Sequence, residues 1–175
     1  MVLNDEEKRM LQGECGLGPQ RAMDFLNQIG EGLEAEKMIK VTTTHILPDM
    51  PTELLEQMTE EVTQTPVMVS LMPCFDPIFW REKYGIVSKE RLIGAVGITD
   101  EKDYAKNLAI LKRLKVLPVF TCTPYTVGIV PRRNDVCVWA GTSGQNAANS
   151  MFGARAPRQS LTTSIASSIA GVVPY

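Results

Sequence analysis

Short apolar runs rich in β-branched residues alternate along this chain with helical patterns, and that alternation constrains the fold more than any other feature. "MIKVTTTHILP" (38–48) and "TPVMVSLMP" (65–73) are the clearest of these runs, each closed by a proline. Valine, isoleucine and threonine suit a pleated, buried surface, so both runs are expected to be strands. Helical patterns surround them. Residues 4–12 and 19–39 form two amphipathic stretches, with Ala22, Phe25, Leu26, Ile29 and Leu33 recurring at three- and four-residue steps in the second. A polar helix is expected over 51–64, opened by Pro51, and a helical turn from Ser88 in "SKERLIGAVGI". The strongest helix signal is "TDEKDYAKNLAILKRLKVLP", where Thr99 or Asp100 can cap, acids lead, and Leu108, Leu111 and Leu114 line one face. Strands that alternate with helices imply an α/β fold with a mostly parallel sheet.

The rest of the pattern is punctuation. "GECGLG" (13–18) lies between two helices and follows no strand, so its glycines are expected to supply positive φ in a turn and not a dinucleotide site. "VLPVF" (116–120) is expected to be a strand that leads into "TCTPY" (121–125). Residues 126–175 carry few charges and many small residues, and "SIASSIAGVV" is expected to be an apolar helix that runs on into the closing Pro-Tyr.

Length and composition set outer bounds. A chain of 175 residues suits one domain, and 44% hydrophobic with 22% charged residues is ordinary globular composition. No apolar stretch reaches the roughly 20 residues a membrane helix needs. The N-terminal "MVLNDEEKRML" lacks the layout of a secretion signal, so a cytoplasmic location is expected. A net charge of -2, with no basic run longer than the "PRR" at 131–133, excludes a nucleic-acid footprint. Cys15, Cys74, Cys122 and Cys137 are widely separated, form no C-x-x-C pair, and are expected to be thiols or ligands.

Three places concentrate chemistry. Cys122 sits between threonines at the expected end of a strand, where α/β proteins bind ligands, although burial as a small hydrophobe is the commoner fate of such a cysteine. His45 is the only histidine, which argues against zinc catalysis and leaves a hydrogen-bonding or proton-shuttling role. "TSGQNAANSMFGARAPR" (142–158) gathers hydroxyl, amide and guanidinium groups of the kind that hold anions, and Arg155 offers a bidentate fork. Ser143 and Ser150 lack the G-x-S-x-G setting of a hydrolase nucleophile.

The segments "LQGECGLGPQRAMDFLNQIGEGLEAEKMIKVTTTHI", "SLMPCFDPIFWREKYGI", "TCTPYTVG", "WAGTSGQNAANSMFGAR" and "SIASSIAGVVPY" together resemble the aconitase X family. "TCTPY" and "NAANSMFGAR" are the most specific of them. The resemblance implies an aconitase-like α/β fold and a hydro-lyase. Its substrate would be a small hydroxy acid, cis-3-hydroxy-L-proline or mevalonate 5-phosphate, dehydrated at an iron or iron–sulfur centre. The scarcity of basic residues beyond Arg155, namely Arg132, Arg133 and Arg158, leans the expectation to hydroxyproline.

By position, the resemblance makes Cys122 a metal ligand, gives catalytic roles to His45, Asp76 and Ser143, and assigns Thr43, Thr44, Asn149, Ser150 and Arg155 to substrate binding. Cys74 is a weaker candidate. The chain matches the N-terminal part of the family's catalytic subunit, without its swivel domain. Trp139 leads into Ala140-Gly141-Thr142-Ser143 where the family has an acidic residue, and Ala156 replaces a threonine. Three cysteines normally hold such a cluster, so this chain alone is expected to bind none stably and to need a downstream or small swivel subunit, or to self-associate. The alternative is a truncated, non-catalytic relative that binds a small anion or a protein.

Overall fold

A computed structural model of the chain describes residues 1–48, 50–71 and 101–175. The expectations for Cys74, Asp76 and the helix from Ser88 fall outside these residues.

Helix α1 (Asp5–Leu11) opens on a reciprocal cap: the Asn4 side chain accepts the Glu7 N–H at 3.0 Å, and the Glu7 carboxylate accepts the Asn4 N–H at 2.8 Å. Gly13 (φ 84°) and Gly16 (φ 100°) turn the chain into α2 (Leu17–Gly32), as their positions between two helices imply. Helix α2 stops well short of residue 39. Glu34 takes φ 55°, and residues beyond it join the short strand β1 (Met38–Lys40).

The expected strand over 38–48 is divided. After β1, the chain shifts to a second partner set as β2 (Thr43–Ile46). There follow α3 (Thr52–Met58), β3 (Met68–Leu71), α4 (Glu101–Arg113), a 3-10 turn (Pro124–Val127), β4 (Cys137–Trp139), α5 (Thr142–Ser150), α6 (Leu161–Ala170) and β5 (Val172–Pro174).

Among the described residues, β3, β2 and β4 form a parallel sheet in that order, with His45 opposite Ser70 on one side and Trp139 on the other. β1 and β5 pair antiparallel, Met38 opposite Pro174. The closing "GVVPY" is therefore not the end of a helix. Gly171 adopts φ 74° and stops α6, and the two valines after it pair with β1.

"VLPVF" also departs from expectation. Leu117 makes a single parallel bridge to β3, its N–H donating to Val69 and its carbonyl accepting from Leu71. The pairing ends there. Pro118 has no N–H to extend a ladder, and Phe120 takes φ 47°, outside strand conformation.

Period-two alternation assigns the two faces of the sheet. Ile46, Val69 and Leu71 face the larger core, shared with Met23 and Leu26 of α2 and Ile165 of α6. Cys137 and Trp139 face the other way, toward Ala148 of α5, Ala154 and Ile129. Helices thus cover both sides. That is the layered arrangement a parallel sheet requires, because neither face can be left to water.

Candidate functional site

The carboxyl edge of the parallel sheet is where three of the chemically interesting segments meet. His45 is the penultimate residue of β2, fully buried, and faces the α5 side. Its Nε2 lies 2.6 Å from the carbonyl oxygen of Thr121, and its Nδ1 lies 2.6 Å from Ser70 Oγ on β3. A carbonyl can only accept, so Nε2 carries the hydrogen and Nδ1 accepts the Ser70 hydroxyl. Burial depresses the His45 pKa below its usual 6.5, with the bonds to Thr121 and Ser70 opposing, so the ring is neutral.

Next to this anchor, the loop folds on itself. Thr121 Oγ1 accepts the Thr123 N–H at 3.1 Å, and both the N–H and Oγ1 of Thr126 donate to the Thr123 carbonyl, at 2.9 and 2.7 Å. Cys122 is half-buried at its apex. The first turn of α5 comes close on the other side, because Gly144 has no side chain. A methyl built there would lie 3.5 Å from the Cys122 carbonyl oxygen and 3.0 Å from the Trp139 ring. Ser143 is exposed in that same first turn.

The other expected site residues lie elsewhere. Thr43 shares the face of His45, buried, with its hydroxyl meeting no partner among the described residues. Thr44 points to the opposite face, as the pleat dictates for a neighbour, and bonds Ser168 of α6 at 2.7 Å. Asn149 clamps the backbone of Ala156, donating to its carbonyl and accepting its N–H, both at 2.9 Å. Ser150 donates back to the Asn146 carbonyl, within its own helix. Arg155 lies beside Val136 at the start of β4, with its guanidinium 5.9 Å from the Tyr175 ring centre. Because α5 runs back along the sheet from the end of β4, these three sit at the amino end of the strands. The structure sets the backbone of Thr121 and Cys122 against His45 on one side and against the first turn of α5, which carries Ser143, on the other, and places Asn149, Ser150 and Arg155 away from them.

Sequence reasoning missed Ser70 and the Thr121 carbonyl, the two partners of His45. A serine inside an apolar strand run was the available signal, since a buried hydroxyl needs a partner.

All 175 residues match the family described as the aconitase X first domain. The chain belongs to the aconitase X family. It is 32% identical to the phosphomevalonate dehydratase large subunit of Methanocaldococcus jannaschii, over its whole length and 43% of that relative. It is 28% identical to the protein of the same name from Methanothermobacter thermautotrophicus, over 99% of the chain and 43% of that relative. The crystal structure of Thermococcus kodakaraensis aconitase X in its holo-form superposes with a TM-score of 0.79 at 25% identity, over 99% of this chain and 42% of that one. This chain therefore spans less than half the length of the relatives it matches.

The iron or iron–sulfur centre that the family implies can be tested against the donors present. No group of three His, Cys, Asp or Glu side chains converges among the described residues. Both His45 nitrogens are engaged by protein atoms. Cys137 is fully buried and packed among Ile129, Trp139 and Ala148, away from any convergent donor, and burial pushes its thiol up to about 12, with Asp135 adding to it. The described residues offer Cys122 as a single donor and do not by themselves make such a centre.

Cys137 carries a pH prediction. An unfolded thiol ionises near 9.0 and the folded one only near 12, so the stability it contributes is intact below pH 9 and is lost as pH rises through that window. By pH 10 the loss should reach about 1 kcal/mol. Urea unfolding at pH 8 and pH 10 measures it. The midpoint should fall more in the native protein than in Cys137→Ala, and equal falls would show that another group is responsible.

Proposed function

We propose that this chain supplies one domain, the N-terminal portion of the catalytic subunit, to a hydro-lyase that dehydrates mevalonate 5-phosphate. The observation that carries the reading is the match over the full chain to proteins that share one name, phosphomevalonate dehydratase large subunit. Those names weigh against the lean to hydroxyproline, which rested on the scarcity of basic residues. Arg155 is not offered as the phosphate ligand, since it faces Tyr175 at the far end of the sheet.

Dehydration removes a hydroxyl from one carbon and a proton from its neighbour. The carboxyl edge contributes a thiol at Cys122 and a hydroxyl at Ser143, on two segments whose backbones approach closely at Gly144. A metal site there would take Cys122 as one ligand, would need its remaining ligands from residues other than those described, and would supply a Lewis acid for the leaving hydroxyl. The relatives are large subunits, which supports a small partner subunit for this protein as well.

The test is turnover by protein purified without air together with the chains that co-purify with it. Mevalonate 5-phosphate should give a new vinyl proton signal and a shifted phosphorus resonance, and Cys122→Ser should abolish both. Turnover of cis-3-hydroxy-L-proline instead would overturn the substrate. No turnover of either compound by material carrying stoichiometric iron would overturn the enzyme reading and favour a non-catalytic binding domain.

A further inference from the structure

We propose that His45 is a positioning residue: it fastens the carbonyl of Thr121 to the centre of the sheet and so fixes where the Cys122 thiol stands. The proposal deepens the dehydratase reading by naming what holds one of its residues, but the geometry behind it does not depend on the reaction.

Four observations converge on it. His45 is fully buried in the middle strand of the sheet, flanked by β3 and β4, so its backbone cannot shift without disturbing both. Its ring is held at two further points. Ser70 Oγ meets Nδ1, and the Trp139 ring stands edge-on at 6.4 Å between centres and an interplanar angle of 65°. With the ring fixed, Nε2–H has one direction in which to donate, and Thr121 carbonyl oxygen is there at 2.6 Å.

The third observation is on the loop. Phe120 is held at φ 47°, a conformation that costs a non-glycine residue on the order of 1 kcal/mol. Two residues later comes Cys122. A strained segment relaxes unless its surroundings oppose it. The threonine bonds within 121–126 tie the loop to itself, so they fix its shape and not its place.

The fourth concerns what ties the loop to the sheet. Before it, the last backbone pairing is at Leu117, and after it the 3-10 turn packs near Gly144. Among the described residues, the His45 bond joins the middle parallel strand directly to the backbone of the stretch 119–123. It attaches one peptide before the thiol. The dominant role of His45 is then neither proton transfer nor metal ligation, since both ring nitrogens are already committed.

Two substitutions separate a tether from simple packing. In His45→Gln, the amide nitrogen stands about where Nε2 did and can still donate to Thr121. In His45→Asn, the amide reaches only the Nδ1 position near Ser70. Hydrogen exchange of the peptide spanning Phe120 to Thr126 reads the loop, and the alkylation rate of Cys122 relative to exposed Cys15 reads the thiol. His45→Asn should speed both by about tenfold, the worth of one buried hydrogen bond, while His45→Gln stays within about threefold of the native protein.

If both variants accelerate the loop equally, the effect is that of a cavity and the proposal fails. It also fails if neither changes loop exchange while the thermal midpoint falls. A measurement on the native protein guards against variants that do not fold: nitrogen-15 NMR of the imidazole should show the hydrogen on Nε2, protected from exchange. A hydrogen on Nδ1 overturns the proposal. None of these readouts uses turnover, so absence of dehydration would count against the function proposed above and leave the tether standing.

Discussion

Replacing Gly18 by alanine should destabilise the protein by about 3 kcal/mol, although alanine is the better helix former by about 1 kcal/mol. The reason is a close approach. Gly18 lies in the first turn of α2, and its N–H donates to the Glu60 carbonyl at 3.0 Å. A methyl at Gly18 would stand 2.5 Å from that same oxygen, 2.6 Å from the Met58 carbonyl and 2.7 Å from Val62 Cγ2. Two of the three obstacles are backbone at the end of α3, and backbone cannot rotate away. The methyl therefore forces α2 and α3 apart, breaking the Gly18 hydrogen bond and opening the core where Leu55 and Met58 meet α2. Gly32, in the last turn of the same helix, has nothing within 4 Å of the equivalent position. Gly32→Ala should be neutral or stabilising by up to about 1 kcal/mol. Urea unfolding of the two variants side by side gives the comparison, and similar midpoints would show that the α2 to α3 contact yields more than its geometry suggests.

What the sequence made legible follows from which signals are local. The strand at β3 and the long helix α4 are each written in their own residues, by β-branched density in one and by leading acids and leucine spacing in the other. The turn at Gly13 and Gly16 was equally local. Where expectation failed, a distant partner or a single residue decided. "GVVPY" continues a helical composition, and only the positive φ at Gly171 and the availability of β1 turn it into a strand. "VLPVF" has the apolar content of a strand, yet Pro118 and the left-handed Phe120 end the pairing at Leu117.

The site was legible to a different depth. Family motifs pointed to Cys122 and to the polar stretch 142–158, and the carboxyl edge of the sheet gathers the first with the start of the second. A motif read along the chain cannot tell the two ends of a helix apart in space. Nine residues of α5 carry the chain from the carboxyl edge back to the amino edge, so Ser143 lies near Cys122 while Asn149 serves as a backbone clamp on Ala156. Thr43 and Thr44 separate for an analogous reason, since adjacent strand residues face opposite layers. His45 is the case where a single letter was least informative. Its role depends on register with Ser70 and on a carbonyl 76 positions away.

Trp139 joins these pieces, and Trp139→Ala should be the most damaging single truncation, at about 4 kcal/mol. The side chain is fully buried at the end of β4, opposite His45 in the ladder. Its carbonyl accepts from Gln145 Nε2 at 2.7 Å, and its ring is the surface on which Gly144 rests. Removing the indole therefore takes away more than its own transfer energy. It leaves a cavity between the sheet and α5, frees the imidazole edge, and removes the support that keeps the first turn of α5 against the Cys122 loop. Trp139→Phe should cost much less, about 1–2 kcal/mol, because a ring remains for Gly144 and His45 and because the indole N–H has no partner among the described residues to lose. Urea unfolding measures both costs, and hydrogen exchange over residues 120–126 shows whether the damage reaches the loop. Exchange there should rise in Trp139→Ala beyond what the drop in global stability accounts for. A rise that merely tracks global unfolding would mean that the tryptophan fills the core without steering the site.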